Sequence, residues 1–421
     1  SGWSVSMNAA GDRLSIGGYK NDGNGSDAGH IRIYDWDGTA WTQLGQDIDG
    51  EAADDYSGRS VSMNAAGDRL AIGAPFNDGN GSDAGHVRIF NWNGAAWTQL
   101  GTDIDGEAAG DNSGRSVSMN DTGDRLAIGG YINDGNDAGH VRIFNWNGTA
   151  WTQLGADIDG EAAGDNSGVA VSMNAAGDRL SIGALLNSGN GTYAGHVRIY
   201  DWNGTAWIQL GADIDGEAAG DNSGRSVSMN DTGDRVAIGA ILNDGNGSNA
   251  GHVRIYDWNG AAWTQLGADI DGEAAGEYSG RSVSMNAAGD RLAIGAPYNV
   301  GNGSDAGYVR IFSNSSVTSS TTSCPQPLDI TIHAAPTIDL GADTTLICAG
   351  TSETIDAGTG FASYLWNDGS TNPTLTATTA GTYNVTGTDA NGCTASDSMV
   401  VDVLTVDIAQ NDTTICEGDS L

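Results

Sequence analysis

The chain has 421 residues with 38% apolar side chains, enough for roughly two to four domains with ordinary cores. Its net charge of −37 excludes the basic footprint that nucleic-acid phosphates require and disfavours direct docking on anionic lipid. One lysine and eight glutamates stand against 46 aspartates (54 − 8), and with many Asn, Gly, Val, Ile, Thr and Trp this composition excludes a helical fold and predicts an all-β one.

From Ser1 the chain copies one segment six times. S-G-R-S-V-S-M-N begins at Ser57, Ser113, Ser223 and Ser279, with variants at Ser1 (S-G-W-S) and Ser167 (S-G-V-A). The starts at 1, 57, 113, 167, 223 and 279 make each copy one supersecondary unit that cannot bury its apolar face alone. In the second copy Arg59–Asn64 alternates, with Val61 and Met63 on one face, and Arg69–Ala74 alternates after a short turn. A polar loop, Asn77–Gly85, leads to a third strand over His86–Trp92 with Val87 and Ile89 inward. Asn93-Gly94 signals a hairpin, and Ala96–Ile104 reads as one continuous fourth strand. Four antiparallel strands per copy are the size of a propeller blade, so residues 1–312 are expected to form about six blades. Small residues at Ala71, Gly73 and Ala74 would let neighbouring sheets approach near the axis, and the recurring Trp92 and Trp97 are expected to pack between blades or over the outer hairpin.

The sixth copy stops after its third strand, at Ile311-Phe312. Its fourth strand is expected from upstream residues removed before Ser1, from Ser316–Ser323, or from a neighbouring molecule by strand addition. Residues 313–335 read as a Ser/Thr/Pro linker or closing strand, and 336–404 as a small β-sandwich. D-T-T-L-I-C-A-G from Asp343 recurs as D-T-T-I-C-E-G from Asp412, so residues 405–421 are expected to begin a second, truncated module. All four cysteines follow the repeats without C-x-x-C spacing, which suggests disulfides and an oxidising, extracellular setting.

Two loops are acidic in every copy that contains them. In the blade-to-blade link D-I-D-G-E-A-A-G-D, Asp103, Asp105, Glu107 and Asp111 occupy positions 1, 3, 5 and 9. Matching residues are Asp47, Asp49 and Asp55; Asp157, Asp159, Glu161 and Asp165; Asp213, Asp215, Glu217 and Asp221; and Asp269, Asp271 and Glu273. Alternate oxygen donors on one loop are a calcium pattern, and calcium is the candidate cofactor. The competing reading is that Asp, Asn and Gly simply form Asx-turns, and the glycine at position 4 departs from the EF-hand spacing. Both loops are expected on the same face. One histidine per blade (His30, His86, His140, His196, His252, with Tyr308 in the sixth) reads as structural, because residues spaced around a ring cannot converge on one metal. No Ser-His-Asp set is unique to one blade, so an enzyme is not expected.

S-G-R-S-V-S-M-N, followed by L-A-I-G-A-P at Leu70–Pro75 and Leu292–Pro297 and then by G-H-V-R-I-F, resembles the FG-GAP repeat of integrin α-subunit propellers. It is similar in particular to the version in secreted, multi-module surface proteins of the Bacteroidetes. That resemblance implies a β-propeller at the bacterial cell surface. The family's calcium loop lies between the first and second strands, where this chain has only Asn-Ala-Ala-Gly-Asp or Asn-Asp-Thr-Gly-Asp, so that site is not carried over. Tyr364–Gly369 and Gly381–Thr386 resemble the immunoglobulin-like or PKD-like modules of bacterial surface proteins, which implies a Cys348–Cys393 disulfide worth about 3–4 kcal/mol. Thr344, Ser398 and Thr413 lie in triplets resembling the Asp-Ser/Thr-apolar O-glycosylation pattern of Bacteroidetes. The resulting expectation is a non-enzymatic, exported surface protein: an adhesin-type propeller head on a modular stalk, binding an extracellular protein or glycan, with no nucleic acid and no direct membrane insertion. A subunit of an extracellular filament built from copies of itself by strand exchange, and a lectin-like glycan-binding module, are the alternatives.

Overall fold

The computed structural model describes residues 2–132, 137–299, 306–313, 326–328, 337–390 and 394–404. It divides into two units, Ser1–Asp329 and Ile330–Leu421. The first unit is six consecutive antiparallel sheets, one per copy of the repeat. In the second copy the strands are Ser60–Met63, Arg69–Ala74, His86–Trp92, Trp97–Gln99 and a short Ile104–Asp105. The alternation of apolar and small or polar residues gives each strand two usable faces, and both are covered. Val117, Met119, Leu126, Ile128 and Phe144 of the third blade pack on Ala71, Val87, Ile89 and Ile104 of the second. Each inner blade thus turns its Val-Met-Leu-Ile face to the blade before it and its third-strand face to the blade after.

The fourth strand is not continuous, as the sequence suggests, but broken. Gln99 pairs with Phe90 and Ile104 with Val87, so four residues of one strand oppose two of the other, a bulge at Leu100–Asp103. Gly101 turns there at φ +84, where a Cβ would lie 3.1 Å from both Trp146 and Trp151 of the next blade. The bulge frees the Leu100 carbonyl to accept Trp151 Nε1–H at 3.0 Å. Trp97, Trp207 and Trp263 donate in the same way to Leu44, Leu154 and Leu210. The paired tryptophans therefore bind neighbouring blades together, with ring centroids 5.5 Å apart in the Trp92–Trp97 pair.

Nearer the axis the contact is backbone to backbone. The Gly114 carbonyl accepts from Ser60 Oγ at 2.8 Å, and a Cβ on Gly73 would sit 2.1 Å from that same oxygen. The sixth blade obtains its fourth strand from Gln326–Leu328, which pairs with Ile311–Ser313. That segment lies beyond Ser316–Ser323, inside the stretch 313–335 read as a linker or closing strand. The faces at the two ends of the series stay open. Val5 is 61% exposed where its counterpart Val61 is 9%, and Val309 is 67% exposed where Val87 is fully buried.

In the second unit a four-stranded sheet and a two-stranded sheet enclose Leu340, Ile347, Ile355, Trp366, Val385 and Val401. Thr344–Cys348 runs parallel to Thr394–Leu404, and Gly381–Thr388 and Ser363–Trp366 complete the larger sheet.

The glycine contact at the blade junction leaves no room for a methyl group. Gly73→Ala is expected to destabilise the propeller by about 1–3 kcal/mol, measured as a lower urea midpoint; an unchanged midpoint would show that the sheets have slack.

Candidate functional site: acidic face and axial mouth

In the first, second, fourth and fifth copies the two acidic loops share one face and are hydrogen-bonded to each other, since Asn80 Nδ2 donates to the Gly106 carbonyl at 2.7 Å and Asn24, Asn190 and Asn246 repeat the bond. The full predicted ligand set of one link does not gather at one point, although Asp47 and Asp49 of the first link come together. Asp111 is buried and accepts the amides of Glu107 and Ala108 at 2.9 and 2.8 Å, so it caps its own turn. Asp55, Asp165 and Asp221 take one link amide each and also hold Asn77, Asn187 and Asn243. Asp103 accepts from Gln99, and Asp47 from Gln43 and Arg32. Asp49, Asp105, Asp159, Asp215 and Asp271 lie on the short fifth strands with exposed side chains. Glu273 faces Arg310 at 3.4 Å.

What the structure brings together instead is a histidine and two carboxylates across a blade junction. His86 meets Glu51 and Asp103; His140 meets Glu107 and Asp157; His196 meets Glu161 and Asp213; His252 meets Glu217 and Asp269. In the first blade His30 meets Asp47 and Asp49. Nδ1 of His196 lies 3.8 Å from Glu161 and 3.7 Å from Asp213. The histidine begins the third strand, the aspartate comes from the bulge of the same blade, and the glutamate comes from the link before it. Sequence reasoning separated these residues because the grouping forms only when blades stack. Burial lowers the pKa of His86, His140, His196 and His252, with the adjacent arginine adding to the effect, and the rings are neutral at pH 7. One imidazole with two carboxylates suits a borderline ion such as Zn²⁺ better than Ca²⁺, which prefers oxygen donors alone. In the sixth blade Tyr308 replaces the histidine and donates to Glu277 at 2.9 Å.

At the axis a cavity of about 600 Å³ is lined by the first strands of all six blades. The third residue of each repeat points the chemistry there: Trp3, Arg59, Arg115, Val169, Arg225 and Arg281. Its lining contains no aspartate, glutamate, histidine or cysteine.

A family model for the FG-GAP repeat matches residues 48–90 and 213–256, each spanning from a fifth strand to the third strand of the following blade. The chain is a β-propeller-like repeat protein. Two solved structures share the fold at low identity. One is the periplasmic gluconolactonase PpgL of Pseudomonas aeruginosa, 13% identical, with TM-score 0.52 over 79% of this chain and 88% of that one. The other is a putative 6-phosphogluconolactonase from Bacteroides uniformis ATCC 8492, 11% identical, with TM-score 0.50 over 93% and 97%. No curated protein matches the chain. No helix among the described residues is long and apolar enough to cross a membrane. In the second unit Cys348 is disulfide-bonded, while Cys393 lies outside the described residues. Thr344 and Ser398 are exposed on strands, and Thr413 lies outside the described residues.

The buried histidines give the propeller a pH dependence. Their folded pKa values lie below the unfolded value, so below about pH 6.5 the unfolded chain binds more protons. Stability is complete above that value and falls as pH drops through the folded pKa; Glu107 and Glu217, raised by burial, offset part of the loss. The melting temperature is expected to decline from pH 7 to pH 5 and to decline less steeply in His252→Gln, whereas equal slopes would remove the histidines as the cause.

Proposed function

We propose that this chain is an exported, non-enzymatic surface protein whose propeller serves as a binding head ahead of sandwich modules. The observation that carries this reading is the axial cavity. Its arginines, tryptophan and serines can hold a ligand, but no lining group can activate water or shuttle a proton. Elsewhere the chemically active side chains repeat blade by blade, and many are committed to capping turns and joining blades. The disulfide at Cys348 supports an oxidising compartment, and the FG-GAP match supports the cell surface. Calcium enters the reading as a counter-ion of the acidic face. The tryptophan pairs of the second to fifth blades pack into the junctions, so a lectin-like role falls to the axial mouth rather than to them.

The open first and sixth faces favour a second reading, the filament subunit. Val5 and Met7 at one end and Val309 at the other are the halves of the junction that the molecule makes five times internally. Head-to-tail contact between copies would build chains, a heterologous association that need not close.

Two measurements decide these readings. With glucono-δ-lactone the protein is expected to give no hydrolysis above the uncatalysed rate, and turnover would assign it to the lactonases that share its fold. Sedimentation velocity at rising concentration is expected to show association that Val5→Asp abolishes; a monomer at every concentration would end the filament reading.

A further inference from the structure

Four of the sixteen arginines (17 − 1 lysine) of this strongly acidic chain converge on the axial cavity. Nine others pair with a carboxylate within 4 Å, as Arg13 does with Asp35 and Arg88 with Glu51. Arg59, Arg115, Arg225 and Arg281 form no such pair among the described residues, nor do Arg69, Arg125 and Arg291, but those three do not line the cavity. With 46 aspartates available, leaving these four cations without a carboxylate is a costly arrangement. Burial and mutual repulsion bring Arg59 down to about 10, still protonated at neutral pH, and they lower Arg115 as well. The charge is offset by aromatic faces. Arg59 lies 4.2 Å above the Trp3 ring and 5.2 Å from Tyr19, and Arg115 lies 5.4 Å from Tyr131.

The aromatic side chains that start at Trp3, on the cavity wall, also differ between blades. Trp3, Tyr19, Tyr56 and Phe76 form a continuous edge-to-face row with centroids 4.9, 5.5 and 5.1 Å apart. Blades four and five present Val169, Leu185 and Ile241 at the matching positions. Tyr56 and Tyr278 both have φ of +55, where the other links place Asn112, Asn166 and Asn222 at +53 to +54. Asparagine tolerates this left-handed backbone readily, whereas tyrosine does so only at a cost of about 1 kcal/mol or more. Strain is therefore accepted at two links that set an aromatic ring against that of the next blade, Tyr56 on Phe76 and Tyr278 on Tyr298.

We infer that the axial mouth binds an anionic carbohydrate, with the arginines pairing its carboxylate, sulfate or phosphate group and Trp3, backed by the Tyr19–Tyr56–Phe76 row, receiving the apolar face of the sugar ring. Guanidinium groups offer forked donors to an oxyanion, and tryptophan and tyrosine combine a flat apolar face with a polar edge. The ligand occupies an asymmetric half of the ring, from the sixth blade through the first to the third, facing Val169 and Ala170 of the fourth blade. This inference deepens the binding-head reading and identifies the class of ligand the head takes.

Calorimetric titration of the full chain with tri-galacturonate and with neutral maltotriose tests it. The acidic trimer is expected to bind, and the neutral one at least about tenfold more weakly. Arg59→Ala and Arg115→Ala should each weaken binding about tenfold. Tyr56→Asn restores the residue of the other links, so it should weaken binding while leaving the melting temperature unchanged or higher. No binding of the acidic trimer, equal binding of both trimers, or binding indifferent to Arg59→Ala and Tyr56→Asn would overturn the assignment. Those failures leave the non-enzymatic reading untouched, because lactone turnover reports on it separately.

Discussion

The close approach of one blade's backbone to the next, Gly73 against the Gly114 carbonyl, is the contact on which the rest of the first unit depends. It sets how near the sheets stand at the axis, and that spacing decides which side chains meet farther out. With the sheets this close, Val117 and Met119 reach Val87 and Ile89, and the Trp151 indole reaches the Leu100 carbonyl. A single blade has two apolar faces and no interior of its own. Stability therefore resides in the junctions, as in other repeat architectures where each unit interacts chiefly with its neighbours.

The junction also explains what was legible in the sequence. Strand positions and turns are local properties, written in two-residue alternation and in Asn-Gly, and Arg69–Ala74 and His86–Trp92 fall where that alternation puts them. The bulge was not legible, because Leu100–Asp103 continues the pattern of a strand and its cause is an indole contributed by the next blade. The Glu-His-Asp groups were hidden for the same reason: Glu51 and His86 belong to different copies and meet only after stacking. The closing strand of the sixth blade, Gln326–Leu328, contains a proline within a polar, cysteine-bearing stretch that carries no strand signal of its own.

The axial mouth was half legible. S-G-R-S stood out as a motif, while Trp3 and Val169 looked like ordinary variation between copies. Only the ring geometry shows that this third position is shared by all six blades around one cavity, so that each substitution alters a single common surface. Near-identical blades thus coexist with an asymmetric centre, because a few variable positions are concentrated where the copies converge.

The tryptophan-to-carbonyl bond runs in one direction along the chain. Each blade from the second to the fifth fastens its outer hairpin to the blade before it, while Trp36 and Trp41 of the first blade are 42% and 40% exposed. The clasps run out at the fifth blade: residues 308–335 contain no tryptophan, so the sixth blade sends no indole back to the Leu266 carbonyl, and the last junction of the series rests on its core contacts without the latch that closes the other four.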